Sequence, residues 1–379
     1  MISLNKERYT RAFNRFLSDN PDIDIDEAEK EFNELYHSGL YKIDDEFDKA
    51  EVLYEEAADA IELDDSINLL HEAIATCPYH YDSKILLALL EENNPLDRIK
   101  RLEDIREEFK KWLLTRNIDL DKPGFSIWLN LESRPYIRLL SAITDECISC
   151  AKYNEARKFS EMQYRLDKEN IVDSLYDYAF CVALTGKYEY ALSLIKDYVS
   201  SSRYLYLMYY INIALNNNKE AFEIYKTLFK LNPYYCSFLS GFFDVNEDEI
   251  SEILNQDILP PDSFEESVYY ITKCLPLTET MYNKMDVYLD KYYNKQINLL
   301  ITMPDDEVII LARVTNSEAG LTLKELENLF KLDNNEIDHD KLLRKINKLI
   351  KRKYLEKRNK KYYITRLTYF IMKAATNTK

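Results

Sequence analysis

Glycine is scarce in this chain: five residues in 379, at positions 39, 124, 186, 241 and 320. Average usage is roughly 7%. That shortage argues against folds built on glycine-rich phosphate loops, tight hairpins or many strands. No GxGxxG, no Walker A loop and no GxSxG nucleophile elbow occurs. Helices fit the shortage, because each glycine weakens a helix by roughly 1 kcal/mol relative to alanine. Long apolar runs are also missing: nothing approaches the ~18 residues of a membrane span. The first residues, Met1 to Arg8, lack the apolar stretch of a signal peptide. Histidine is limited to His37, His71, His80 and His339, which share no metal-ligand spacing. The six cysteines, Cys77, Cys147, Cys150, Cys181, Cys236 and Cys274, are scattered through apolar helical context. Reduced, buried thiols in a cytoplasmic protein are expected. Cys147 and Cys150 have CxxC spacing but sit inside an expected helix with no second pair near them. No catalytic residue, metal or cofactor is expected.

What the chain has is acid, aromatic side chains and a change of character at its end. The net charge is −17. From Lys341 to Lys379, however, there are fourteen Lys or Arg and one acid, Glu356. An acidic body with a basic end points to two partners of different kind, since a field of one sign selects ligands of the other. With 46% apolar residues the chain can build a real core, and its length allows two or three domains.

Helical periodicity dominates residues 1–300, and a pattern recurs within it. One helix ends at a turn and the next opens with Glu-x-Ala or a near variant. The copies are Lys152-Tyr153-Asn154-Glu155-Ala156, Gly186-Lys187-Tyr188-Glu189-Tyr190-Ala191 and Asn217-Asn218-Lys219-Glu220-Ala221. Their alanines are 35 and 30 residues apart. Ala73 and Pro78 read as the end of another unit. A small alanine lets paired helices approach closely, and a unit of about 34 residues buries its apolar face only by stacking on neighbours. The pattern resembles the tetratricopeptide repeat, although the consensus glycine of the first helix is absent.

The segment Trp128-Leu129-Asn130-Leu131-Glu132-Ser133-Arg134-Pro135-Tyr136-Ile137-Arg138 leads into the first clear repeat. It resembles the opening segment of bacterial tetratricopeptide proteins related to the suppressor of tumorigenicity 7 family, which share Trp, an acid and Arg-Pro-Tyr-x-Arg. The resemblance runs over about residues 45–285, through Phe229–Tyr234, Phe238–Gly241 and Ser263–Tyr270, with Ser267 where the family has alanine. It implies a helical interaction scaffold without established chemistry. On the residues alone, Ser133 can cap a helix with Pro135 in its first turn. Arg134 and Arg138 then either pair with nearby acids or line a groove and meet an acid on a ligand. Tyr206 and Tyr209 are the candidate aromatic contacts for a peptide or protein partner, because tyrosine offers large contact area at low entropy cost.

Past Met303-Pro304 the elements follow a different order. Asp305, Asp306 and Glu307 open a helix at its positive end, with Val308, Ile309, Leu311, Ala312 and Val314 expected on its buried face. Gly320 ends a connection. Thr322-Leu323-Lys324-Glu325 reads as a capping box. Asp338 or Asp340 caps a further helix with Leu342, Leu343, Ile346, Leu349 and Ile350 inside. Tyr354–Lys357 and Lys361–Ile364 flank Arg358-Asn359-Lys360 as a hairpin, and a last helix is expected over Thr365–Thr376. This order resembles a winged helix-turn-helix, with Leu321–Leu326 and Lys360–Thr365 similar to MarR-type domains. The resemblance implies a helix for the major groove and a wing for phosphate. The candidate nucleic-acid contacts are Lys341, Arg344, Lys345, Lys348, Lys351, Arg352, Lys357, Arg358, Lys360 and Lys361.

The expected fold is therefore all-α: N-terminal helices over 1–44, a tetratricopeptide-like solenoid over 45–300 and a small winged-helix domain over 301–379. The expected function is non-enzymatic binding, with a protein or peptide in the repeats and DNA or RNA at the basic end. A helical-repeat body with a winged helix also resembles PCI-type assembly scaffolds, so a purely protein-binding role stays open. So does docking of the basic end on the acidic body.

Overall fold

The computed structural model describes residues 4–38, 45–122, 125–232, 234–235, 247–254, 256, 259–278, 295, 298–299, 302–317, 319–332, 338–365 and 368. The segment Phe238–Gly241, the span 279–294 and most of the helix expected over Thr365–Thr376 lie outside the described residues. Among the described residues the fold is all-α, with runs of helices packing on their successors and one small antiparallel sheet near the C-terminus. Two compact units divide the chain, Met1–Ile195 and Lys196–Lys379.

The first unit holds α1 (Leu4–Asp19), α2 (Ile25–His37), α3 (Glu46–Asp59), α4 (Leu63–Thr76), α5 (Tyr81–Glu91), α6 (Pro95–Thr115), α7 (Arg134–Ser149), α8 (Tyr153–Leu166), α9 (Ser174–Leu184) and α10 (Tyr188–Ile195). Local chemistry starts several of them. Asp24, Asp45 and Asn94 accept from backbone N–H groups two residues on, and Pro95 sits in the first turn of α6, where no N–H is needed. From α3 to α10 every helix contacts its successor, and α5 also touches both α3 and α7. The main core gathers Tyr81, Phe109, Tyr136, Ile143 and Phe159. Tyr81 stacks on Phe109 with ring centroids 3.7 Å apart. Truncating such a buried ring costs about 3–5 kcal/mol.

The repeated sequence pattern has one backbone geometry. Ala151, Gly186 and Asn216 each adopt positive φ, at 55°, 77° and 58°. The next N–H returns to the carbonyl five residues back: Lys152 to Cys147, Lys187 to Val182, Asn217 to Asn212. This closes the helix end and points the chain into the partner helix. Five residues after each left-handed residue comes Ala156, Ala191 or Ala221, and all three are fully buried. Eleven residues past Ala156 and Ala221 stand Asp167 and Asn232, both buried. Asp167 accepts from Trp128 Nε1 (2.7 Å), Ile171 N (2.8 Å), Val172 N (3.2 Å) and Ser174 Oγ (2.7 Å). Asn232 donates to the Ser263 carbonyl at 2.8 Å and accepts from Tyr234 N at 3.1 Å.

The second unit comprises α11 (Ser202–Ala214), α12 (Asn218–Leu231), α13 (Glu247–Leu254), α14 (Phe264–Lys273), α15 (Leu275–Thr278), α16 (Asp305–Thr315), β1 (Leu321–Thr322), α17 (Leu323–Leu332), α18 (His339–Lys351), β2 (Leu355–Arg358) and β3 (Lys361–Ile364). Helix α11 is buried on every side from Tyr204 to Ile213. The buried Glu266 on α14 accepts from Ser202 Oγ at 2.6 Å and from Asp262 N at 3.0 Å.

In the C-terminal segment the strands lie in the order β1-β3-β2, all antiparallel. The hairpin turns at Asn359 and Lys360, both with positive φ, which matches the twist of the flanking strands. Strand β1 pairs Leu321 with Tyr362 and Thr322 with Lys361, an addition the hairpin pattern did not announce. The capping box is present: Thr322 Oγ1 accepts from Glu325 N, and Glu325 accepts from Thr322 N at 2.7 Å. Asp338, not Asp340, caps α18. The buried face of α16 centres on Glu307, Ile310, Leu311 and Val314, whereas Val308 is exposed. Leu311 and Val314 keep their expected places, whereas Glu307 and Ile310 join the buried face and Val308 leaves it.

Candidate functional site

Two charged sites stand out, one in each unit. In the second unit, α18 carries its apolar residues Leu342, Ile346 and Leu349 inward and leaves its cations outward. Helical spacing sorts those cations into two stripes. Lys341, Lys345, Lys348 and Arg352 follow i, i+4, i+7, i+11 and turn toward the first turn of α16. There Lys345 pairs with Asp306 at 2.6 Å, Lys348 with Glu307 at 2.6 Å and Arg352 with Glu307 at 3.3 Å. Glu307 is only 1% exposed, so its charge requires these partners. The hydrogen bond from Lys345 holds the Asp306 carboxyl below its usual range. Arg344, Asn347 and Lys351 form the neighbouring stripe and are exposed to solvent.

The hairpin adds Lys357, Arg358, Lys360 and Lys361. Lys357 lies over the Tyr362 ring at 5.3 Å and Arg358 over Tyr363 at 5.9 Å. Arg358 also pairs with Glu356, and Lys361 donates to the Ala319 carbonyl at 3.0 Å. Of the ten expected contacts, then, Lys345, Lys348 and Arg352 are engaged by acids of α16 and Arg358 by Glu356. Among the described residues, no acid pairs with Lys341, Lys351, Lys357 or Lys360. A helix face and a hairpin tip of this composition can hold phosphate oxygens. Asn347 is a neutral polar side chain at the centre of the helix, exposed among these cations.

The Arg-Pro-Tyr segment lies in the first unit and is occupied. Ser133 stands at the N-cap position of α7, but its hydroxyl donates to the Ile127 carbonyl (3.1 Å) and the Asn130 carbonyl (2.9 Å) rather than capping the helix. Arg134 donates to the Trp128 carbonyl at 2.7 Å and reaches Glu7 at 3.5 Å. Arg138 binds Asp82 through two hydrogen bonds, 2.7 and 2.8 Å, and Glu7 at 3.2 Å. Burial pushes the Asp82 carboxyl up, but the Arg138 guanidinium outweighs it and leaves the group below its usual range. The two arginines are thus brought together, and the acid they meet is on α1 of the same chain. Sequence distance hides this: Glu7 and Arg138 are 131 positions apart.

Tyr206 and Tyr209 do not reach a surface. Both are at most 1% exposed, Tyr206 Oη sharing a 2.7 Å hydrogen bond with Tyr210. Helix α11 is surrounded by packed elements, so these rings fill the core instead of presenting a contact face.

The CxxC pair is likewise internal to a helix end. Cys147 is fully buried, and burial pushes its thiol up to about 12, far from a reactive thiolate. Among the described residues, no three His, Cys, Asp or Glu side chains gather as metal ligands, and no helix is long and apolar enough to cross a membrane. No protein-family model matches the chain, and no curated protein matches it either.

Proposed function

We propose that this chain is a non-enzymatic binding protein. A tetratricopeptide-like helical body, residues 45–300 behind N-terminal helices 1–44, takes a protein or peptide partner. A winged-helix-like segment, residues 301–379, contacts DNA or RNA. Three features support the second half of this reading. The order helix, strand, helix, helix, hairpin is that of a winged helix, with β1 completing the sheet beside the hairpin. On this reading α18, the last helix before the hairpin, serves as the groove-reading helix. The observation that carries it is the set of exposed cations that form no ion pair among the described residues: Lys341 and Lys351 on α18, Lys357 and Lys360 on the hairpin. Such cations release counterions on meeting phosphate, largely without sequence preference.

The test is fluorescence-anisotropy binding of the full chain to mixed-sequence DNA and RNA duplexes across a salt series. Binding that falls steeply with salt is expected. The slope should drop by about 0.9 for each phosphate-contacting cation reversed among Lys341, Lys351, Lys357 and Lys360. Absence of salt-sensitive binding would overturn the reading. It would leave a second one, a protein-assembly scaffold, which the engagement of Lys345, Lys348 and Arg352 by α16 acids favours. Three cations set against two carboxylates give a surface better matched to a mixed-charge protein than to a polyanion.

A further inference from the structure

Helices α1 and α2 form a self-contained apolar hairpin. Their buried residues Ala12, Phe16, Ala28 and Phe32 make one cluster, filled out by Tyr9, Phe13, Leu17, Ile23, Leu35 and Tyr36. No residue of α3, α5 or α7 belongs to that cluster. What joins the hairpin to those helices is charge. Arg8, Arg11 and Arg15 lie along one side of α1 at i, i+3, i+7. Arg8 pairs with Glu55 at 2.6 Å, Arg11 with Glu51 and Asp48, and Arg15 with Asp48 at 3.1 Å and Asp45 at 3.3 Å. Arg11 also lies 4.5 Å over the Phe47 ring. On the next side of α1, Glu7 meets Arg134 and Arg138.

The surface beneath α1 is built to hold charge. Asp48, Glu51 and Asp82 are nearly fully buried in it. His80 stands behind Glu51, its Nε2 at 3.4 Å from the carboxylate and its Nδ1 at 2.8 Å from Ser83 Oγ. Yet the fit of α1 is incomplete. Glu51 Oε1, Glu55 Oε1 and Arg134 Nε are buried with no hydrogen-bond partner, and Arg11 Nε faces Asp48 Oδ1 at 3.6 Å, too long for a hydrogen bond. An ionic seam of this kind parts into water more readily than an apolar one, because each half is solvated when released. Unsatisfied buried atoms weaken it further.

We infer that the surface of α3, α5 and α7 under α1 is a docking site for a helix of a partner protein. That helix carries an acid followed by arginines one, four and eight positions later, and α1 is the resident occupant it displaces. The inference rests on the reading of the helical body as a partner-binding surface, and it names the chemistry of the partner. Arginine is the fitting cation, since its planar fork serves two carboxylate oxygens at once and it stacks on an aromatic ring such as Phe47.

The test uses a fluorescent peptide of residues 4–19 as the probe and the full chain as receptor. Wild type should bind it weakly, because the tethered α1 competes at high effective concentration. The full chain with Arg8→Glu, Arg11→Glu and Arg15→Glu should bind about tenfold or more tightly than wild type. Arg15→Glu alone, at the seam's rim, should give a smaller gain in the same direction and guards against misfolding of the triple variant, which circular dichroism also checks. A probe with the three arginines changed to glutamate should not bind, and raised salt should weaken the authentic probe. Equal binding by wild type and both variants would overturn the inference. So would a concentration-dependent dimer in light scattering, which would assign the site to a second copy exchanging its α1–α2 hairpin. Duplex binding is scored in the same samples. Its retention without peptide binding removes this inference alone, whereas loss of both removes the binding-protein reading.

Discussion

Lys348 donates to the buried Glu307 carboxylate at 2.6 Å, tying the face of α18 to the first turn of α16. Arg352 shares the same carboxylate at 3.3 Å. One acid therefore restrains two cations of the candidate phosphate-binding face.

Glu307→Gln should release both. Affinity for mixed-sequence duplex is expected to rise severalfold, with the slope of log K against log salt steeper by about one to two. The lost charge-assisted bonds should lower stability by about 1–3 kcal/mol. Anisotropy titration and thermal unfolding check the two halves separately, and unchanged salt dependence would exclude Glu307 as a restraint on the face.

Ala151 takes the left-handed conformation that Gly186 and Asn216 take in the equivalent turns. A Cβ there is strained by about 1 kcal/mol. Ala151→Gly should accordingly stabilise the chain slightly, by up to about 0.5 kcal/mol after the entropy cost of the added freedom. Chemical denaturation measures this directly. A loss of stability would show that the alanine methyl makes compensating contacts.

Gly320 has φ +67°, and a Cβ built on it would come within 2.4 Å of the Tyr363 ring. Tyr363 is itself held by a hydrogen bond from its hydroxyl to the Ala319 carbonyl, 3.1 Å. Gly320→Ala should cost about 1–3 kcal/mol through overpacking and backbone strain. Part of that cost should disappear in a Tyr363→Ala background, and a double-mutant cycle isolates the share due to the ring.

His339, at the start of α18, pairs with Glu327 of α17, and this hydrogen bond raises its pKa above the ordinary value. A group whose folded pKa is raised stabilises when protonated. The contribution is complete below about pH 6.5 and vanishes as pH climbs through the folded pKa. The pair is exposed to solvent, so the contribution is modest and salt-screened. An NMR titration of the His339 ring should give a pKa above 6.5 that falls to the ordinary value in Glu327→Gln.

The helical pairs were legible in the sequence because their signal is local: a turn residue with positive φ, then an alanine five positions on. So were the capping box at Thr322 and the turn at Asn359-Lys360, each contained in four residues. Strand β1 was not, since two residues paired across forty positions leave no periodicity. Pairing of Arg134 and Arg138 with acids was one of two readings, but which acids was not legible, since Glu7 and Asp82 lie on α1 and α5. Glu307 read as a helix-dipole acid, and its neighbours across the fold made it a buried ion pair instead. The burial of Tyr206 and Tyr209 was not legible for a physical reason too: a tyrosine ring fills a core as readily as it covers a surface, and α11 has no polar face to betray the difference.

Asn232 fastens its helix pair to the Ser263 carbonyl 31 residues on, whereas Asp167 ties off its own pair with hydrogen bonds from Ile171, Val172 and Ser174 just ahead, apart from the indole of Trp128. A pair closed this way brings its own fasteners. Lengthening or shortening the array by whole pairs would then leave few buried polar groups stranded, whereas a cut through a pair would orphan several at once. The natural unit of change in such a chain is the pair and its trailing polar residue, and length variants that respect it are the ones expected to fold.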